Sequence, residues 1–345
     1  MRSPGPASDT VDVGAADGEG AALRESLQGA LAQGEQGAPA IIGLERTPLA
    51  TRSSYRTELV TLHLRAGSEL RIFLKDYGAC RRVKEDALGA GRMVDRRVRE
   101  MRVYRELLAT AKLGTPRFHG AVWDDSRQRF WLLLEYVEGR RLTDFEFEHW
   151  VEAGRWLGRM QGRFADVRVS ELDFLVEHDD TFFASIAEAA VLAARAASAR
   201  LGASLGSTLS RYDELVAAMS ADRSVLVHGA YRPYNIMVCP QAGHRMCVLD
   251  WEESARGSPL YDLACLADGF EREPPRFEVL VDGYREEATA HGLALPDRDR
   301  LHRLLHAFCL HRNLKTLTKA RTRTFAPGGV TSLVDRVQEL ARLVW

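Results

Sequence analysis

Lysine is scarce in this chain. Of 47 basic residues only five are lysines, namely Lys75, Lys84, Lys112, Lys315 and Lys319, and the rest are arginines. A lysine kept on an apolar strand against that background points to a need for a compact ammonium in place of a planar guanidinium. Net charge is also lacking: the formal value of −1 gives no global pull toward nucleic acid or an anionic membrane, which argues against a nucleic-acid-binding module. The five cysteines (Cys80, Cys239, Cys247, Cys265 and Cys309) are odd in number and include no Cys-x-x-Cys pair. That argues against a disulfide scaffold or a zinc site and predicts a reducing, cytoplasmic setting. Long apolar runs are missing too. The N-terminus has none of signal-peptide length, and the alanine-rich stretch from Ala184 to Leu209 is broken by Glu188, Arg195 and Arg200, so no membrane span is predicted.

What is present is a globular composition, 46% apolar and 28% charged over 345 residues, enough for one large or two ordinary domains. Residues 1–38 are rich in small and polar types and read as a disordered arm, with a helical turn near Ala22 to Leu31. Alternating and β-branched runs then predict strands from Ile41, over Tyr55 to Leu64, and over Leu70 to Tyr77. The last two form a hairpin around Ala66-Gly67-Ser68, with Lys75 near its end. Helical spacing from Val94 to Leu113 stops at Gly114-Thr115-Pro116, and strands follow at Phe118 to Trp123 and Phe130 to Tyr136. After Gly139 helices dominate, at Trp150 to Phe164, Phe182 to Arg200, Thr208 to Met219, Phe277 to His291, Arg300 to Ala320 and Leu333 to Trp345. Short apolar strands interrupt them at Val225 to Val227 and Cys247 to Leu249. The pattern predicts an α+β chain, with a small β-rich lobe over 39–137 and a larger, mainly helical lobe over 138–345.

Two strings stand out in the second half. The first is His228-Gly229-Ala230-Tyr231-Arg232-Pro233-Tyr234-Asn235. The second is Val248-Leu249-Asp250-Trp251-Glu252, followed by Gly257, Pro259, Asp262 and Leu263-Ala264. Each begins on an apolar strand that delivers polar residues to a loop. Together they resemble the aminoglycoside phosphotransferase and choline kinase superfamily, which carries a His-Gly-Asp-x-x-x-x-Asn loop, an apolar strand ending in Asp-Trp-Glu, and a downstream Gly-x-Pro-x-x-Asp-Leu-Ala. Protein kinases use a related loop, with a metal-binding Asp-Phe-Gly element. The resemblance spans roughly Ala40 to Ala290 and implies a bilobal, protein-kinase-like fold.

It also implies ATP- and Mg2+-dependent phosphorylation of a small-molecule hydroxyl, with a role for each matching residue. Lys75 would hold the nucleotide phosphates and Glu100, preferred over Glu106, would orient it. Glu135, Tyr136 and Val137 would form the hinge that meets adenine. Ser53 and Ser54, in Thr51-Arg52-Ser53-Ser54, would cover the phosphates in place of a glycine-rich loop. Asp250 and Asn235 supply hard oxygens of the kind magnesium prefers. Arg232 would approach the terminal phosphate, and His228 would brace the loop. Asp262 reads as a cap of the helix that begins near Leu263.

The family's catalytic aspartate is replaced by Ala230, whose methyl group can neither accept a hydroxyl proton nor orient the hydroxyl. Three explanations stand: a pseudokinase that binds nucleotide or a protein partner, an active enzyme whose base lies elsewhere, or a deliberately inactivated variant. The acceptor is not encoded in a readable motif. The acidic run of Glu171, Asp173, Glu177, Asp179 and Asp180 would suit a cationic acceptor, or be a solvated loop. Glu252 and Glu253 face either the substrate or solvent. The basic string Lys315, Lys319, Arg321 and Arg323 reads as a solvated helix end.

Overall fold

The computed structural model describes residues 18–34, 40–50, 53, 55–65, 67–80, 91–165, 172–240, 243–321 and 325–345. The chain divides into two compact units that interleave in sequence. The first comprises residues 1–84, 101–139 and 239–247, the second 85–100, 140–238 and 248–345.

The first unit is built on an antiparallel sheet. Strands β1 (Ile41–Pro48), β2 (Tyr55–Leu64), β3 (Glu69–Cys80), β4 (Phe118–Asp124) and β5 (Arg129–Glu135) lie in the order β1-β2-β3-β5-β4. Period-two alternation sends Val60, Leu62 and Leu64 of β2 and Ile72 and Leu74 of β3 into one core, with Trp131 and Leu133 of β5. Because β3 is central, Lys75 is flanked on both sides, by Thr57 of β2 and Leu132 of β5, and is nearly buried. The N-terminal stretch read as a disordered arm carries a helix, α1 (Gly18–Gly34). Its Leu23, Leu27 and Leu31, four residues apart, join the sheet's core, and Gln28 accepts the Ile41 N–H at 2.8 Å. Each buried leucine contributes about 2–3 kcal/mol, which outweighs the polar composition that suggested disorder. The backbone of α1 comes close to β4 at Gly120, where a Cβ would lie 2.2 Å from the Ala30 carbonyl oxygen.

Between these strands the helical run predicted over Val94 to Leu113 is α2 (Gly91–Arg102), continued by a π-helical turn (Val103–Leu108) and α3 (Ala109–Ala111). The second unit contains the remaining helices: α4 (Phe147–Ala165), α5 (Asp180–Ala197), α6 (Ala199–Thr208), α7 (Tyr212–Ser220), α8 (Leu260–Ala267), α9 (Pro274–Ala290), α10 (Arg298–Thr318) and α11 (Gly329–Val344). The single helix expected over Phe182 to Arg200 is two, because Ser198 is extended (φ −163°, ψ 133°) between α5 and α6. Short strands set the loops. β6 (Arg140–Arg141) pairs with β9 (Ile236–Cys239), and a small sheet takes the order β7 (Val176–Glu177), β11 (Ala255–Gly257), β8 (Val225–Val227). The remaining strand, β10, is Arg245–Val248. Among the described residues no helix is long and apolar enough to cross a membrane.

Candidate active site

Fully buried β8, Val225-Leu226-Val227, ends at His228 and launches the first motif loop. His228 is itself buried, and burial pushes its imidazolium pKa down to about 4, so the ring is neutral near pH 7. Its tautomer follows from its partners: Nδ1 accepts the Ala230 N–H at 3.2 Å, which leaves Nε2 to donate to the Leu249 carbonyl at 2.8 Å. The Leu249 N–H in turn donates to the Asn235 carbonyl at 2.8 Å. Leu249 is therefore gripped from both ends of the loop, and Asn235 and Asp250 are fixed side by side. The Asn235 carboxamide donates to the Ala230 carbonyl at 3.0 Å, which turns its Oδ1 toward other partners.

Asp262 is not the helix cap that the sequence suggests. It lies inside the first turn of α8 and is fully buried, and its carboxylate accepts the N–H groups of His228 at 2.5 Å and Gly229 at 3.0 Å. Burial pushes its carboxyl up to about 7, although both amides favour the anion. Gly229 is indispensable in this turn. Its φ is +77°, and a Cβ would lie 2.0 Å from the Glu253 carbonyl oxygen.

Asp250 adopts a left-handed backbone (φ 67°, ψ 60°), a conformation an L-residue holds only when its surroundings impose it. Carboxylate oxygens of Glu100, Asp250 and Glu252 all lie within 4.8 Å of one another. Glu100 and Glu252 are buried and Asp250 is half-buried. Arg99 fastens this corner, donating to the Glu252 carbonyl at 2.8 Å and the Phe174 carbonyl at 2.9 Å. The rival Glu106 is taken up at the surface by Arg102 at 2.9 Å and Arg105 at 2.8 Å. These hard oxygens, with Asn235 Oδ1 beside them, are a donor set suited to a divalent cation such as magnesium.

Glu253, the next residue, was not resolved by sequence. Its carboxylate accepts from Lys315 Nζ of α10 at 2.6 Å. Burial opposes ionisation, yet Lys315 and Arg96 hold Glu253 well below the usual carboxylate range. Lys315 is therefore not part of a solvated helix end: only 19% of its side chain is exposed. Of the rest of that string, Arg323 lies outside the described residues.

In the first unit, Lys75 sits with its ammonium 5.3 Å from the centre of the Tyr55 ring and 5.5 Å from that of Tyr77, two cation–π contacts in a buried setting. Lys75 and Glu100 belong to different units. The Glu135 side chain meets Arg245 at 2.7 Å. Tyr136 donates its N–H to the Arg71 carbonyl at 3.2 Å and lies under the Arg71 guanidinium at 4.6 Å. Val137 is half-buried. Ser53 Oγ accepts the Tyr55 N–H at 3.1 Å, a local turn. Ser54, with Thr51 and Arg52, lies outside the described residues. Arg232 is half-buried, 5.9 Å from the centre of the Tyr234 ring.

The profile of the phosphotransferase enzyme family matches residues 72–304, and the chain belongs to that family. No curated protein matches it. Solved structures share the fold. The GDP and kanamycin complex of APH(2'')-IIIa is 12% identical with a TM-score of 0.58, over 92% of this chain and 99% of that one. Spectinomycin phosphotransferase in complex with ADP and spectinomycin is 11% identical, TM-score 0.56, over 93% and 97%. An aminoglycoside phosphotransferase from Alicyclobacillus acidocaldarius is 16% identical, TM-score 0.52, over 92% and 93%. The chain thus has the α+β, kinase-like fold of these phosphotransferases, with an antiparallel N-terminal sheet and a helical C-terminal region.

Proposed function

We propose that the protein is an ATP- and magnesium-dependent phosphotransferase acting on a small-molecule hydroxyl. The observation that carries this reading is the grip on Leu249, which fixes Asn235 and Asp250 side by side next to the carboxylates of Glu100 and Glu252. Asp250 and Asn235 would hold magnesium, with Glu252 beside them, and a bound ion would offset the charge of the nucleotide phosphates. Lys75, a buried ammonium, donates to phosphate oxygens. Arg232 stands at the same place in its loop as the lysine that protein kinases place near the terminal phosphate. Glu135 and Val137 present backbone groups to adenine, since the Tyr136 amide is already spent on Arg71. The neutral His228 shapes the loop and moves no proton. Phosphoryl transfer passes through a loose transition state, so positioning and charge neutralisation outweigh base assistance. With Ala230 in the loop, transfer is slowed by the factor a base supplies, about 10²–10⁴.

Ala230 also favours a second reading, a pseudokinase that binds nucleotide, or a protein partner, without transfer. The melting temperature with and without Mg-ATP, for this protein and for Asp250→Asn and Lys75→Ala, tests what the two share. At a thousandfold excess over Kd the ligand should add ~4 kcal/mol. A magnesium-dependent shift lost in both variants supports the nucleotide site, and no shift at saturation overturns it. Transfer of labelled γ-phosphate to a hydroxyl acceptor then separates enzyme from pseudokinase.

A further inference from the structure

We infer that the acceptor carries an anionic group, a carboxylate or a phosphate monoester, and is not a polycation of the aminoglycoside type. This rests on the phosphotransferase reading above.

Two independent observations within the second unit lead there. The first concerns the acidic run that could have received a cationic acceptor. Its described members are engaged in structural work. Asp179 caps α5 by accepting the Phe182 N–H at 2.8 Å. Asp180 accepts the Ser220 hydroxyl. Glu177 meets Arg256 at 2.8 Å and Arg223 at 4.0 Å.

The second concerns what stands beside the motif loop. Glu253 lies with its backbone against Gly229 and its carboxylate on Lys315. The charges that act most strongly on Glu253 are cations: Lys315, Arg96 and Lys319. Arg232, from the loop itself, acts on Lys315 in turn. Four cations thus gather around one carboxylate. Two of them are lysines, in a chain that has only five. Arg96, Arg232 and Lys319 are half-buried, so they remain within reach of a ligand. A polycation would be repelled from this surface. A hydroxyl compound bearing a carboxylate or phosphate would be drawn to it and oriented by charge-assisted hydrogen bonds.

The test uses the full chain, with and without saturating Mg-ATP, and three probes: gluconate, glucose 6-phosphate and kanamycin. Binding is read by melting temperature and titration. The expected result is that one or both anions bind, that binding weakens as salt rises from about 50 to about 500 mM, and that Arg96→Gln and Lys319→Gln each lower affinity roughly fivefold. Gluconate against glucose 6-phosphate tells carboxylate from phosphate recognition. Binding of kanamycin without the anions, binding of no probe, or anion binding unchanged in both variants would overturn the inference. A missing Mg-ATP shift is a separate failure, that of the phosphotransferase reading, because the anion arms are also scored without nucleotide.

Discussion

Replacing Asp262 by alanine should unfasten the motif loop. Asp262 is fully buried, and its carboxylate holds two backbone donors, the His228 and Gly229 N–H groups at 2.5 and 3.0 Å. Alanine leaves both donors buried and unsatisfied, at about 1–3 kcal/mol each, so the expected loss is about 3–5 kcal/mol. Asparagine keeps one acceptor oxygen but turns an NH2 group toward the second donor, and should lose roughly 2 kcal/mol. Because burial raises the carboxyl to about 7, the wild type is a mixture of protonated and ionised forms at neutral pH. Each form retains acceptor lone pairs, so the ranking holds across that range. Urea unfolding measures the effect, followed by a probe in the second unit, since two units need not unfold together. The shift in melting temperature with Mg-ATP should shrink in parallel. A loss below about 1 kcal/mol in the alanine variant, with the nucleotide response intact, would refute the claim that Asp262 carries the loop.

Acid should destabilise the fold through its buried histidines. Burial lowers His228 to about 4 and His178 to about 3 from 6.5, so the unfolded chain binds more protons as pH falls through 6.5, and stability drops toward pH 4 by up to about 1.4 kcal/mol per unit per histidine. Asp262, raised above 3.8, acts in the opposite sense between pH 4 and 7, so the slope should steepen in Asp262→Asn; a flat profile of urea stability from pH 7 to 4.5 would contradict both signs. Gly229→Ala combines a left-handed φ of +77° with a Cβ 2.0 Å from the Glu253 carbonyl oxygen and should cost at least the ~1–2 kcal/mol of the backbone alone, measured by the same unfolding assay. Ala230→Asp should raise γ-phosphate transfer by about 10²–10⁴ with little change in nucleotide affinity, and an unchanged rate would mean that this position is not where a base acts.

The sheet and most helices were legible because period-two and helical spacings survive in the side chains themselves. The hairpin of β2 and β3 falls where Ala66-Gly67-Ser68 places it, and Lys75 lies in it. The α1 helix was misread because its three core leucines are diluted by glycine and alanine, so composition hid a spacing of four that burial against the sheet makes decisive. The motif residues of the second unit could be named by type and order, but their partners could not. Asp262 was visible as a recurring aspartate, yet its carboxylate reaches back 34 residues to His228, a contact no local capping rule contains. The Glu253–Lys315 pair spans 62 residues and left no trace beyond an acidic and a basic residue in otherwise ordinary surroundings. Long-range polar contacts of this kind depend on how helices pack, and spacing along one helix does not report that.

The substitution at Ala230 gains its meaning from how the loop is held. Asp262 holds the amides of His228 and Gly229, His228 holds the Ala230 amide and the Leu249 carbonyl, and Asn235 holds the Ala230 carbonyl. Every one of these bonds uses a backbone group or a side chain other than that of residue 230. The loop's shape and its proton chemistry are therefore encoded by separate residues, and a carboxylate can be lost at this point without unravelling what surrounds it. The oxygens of Asn235 and Asp250 stay where the fold puts them, so nucleotide and magnesium binding should persist while transfer alone bears the loss. A protein in this state binds as its family does and reacts at a rate set by charge neutralisation and positioning alone.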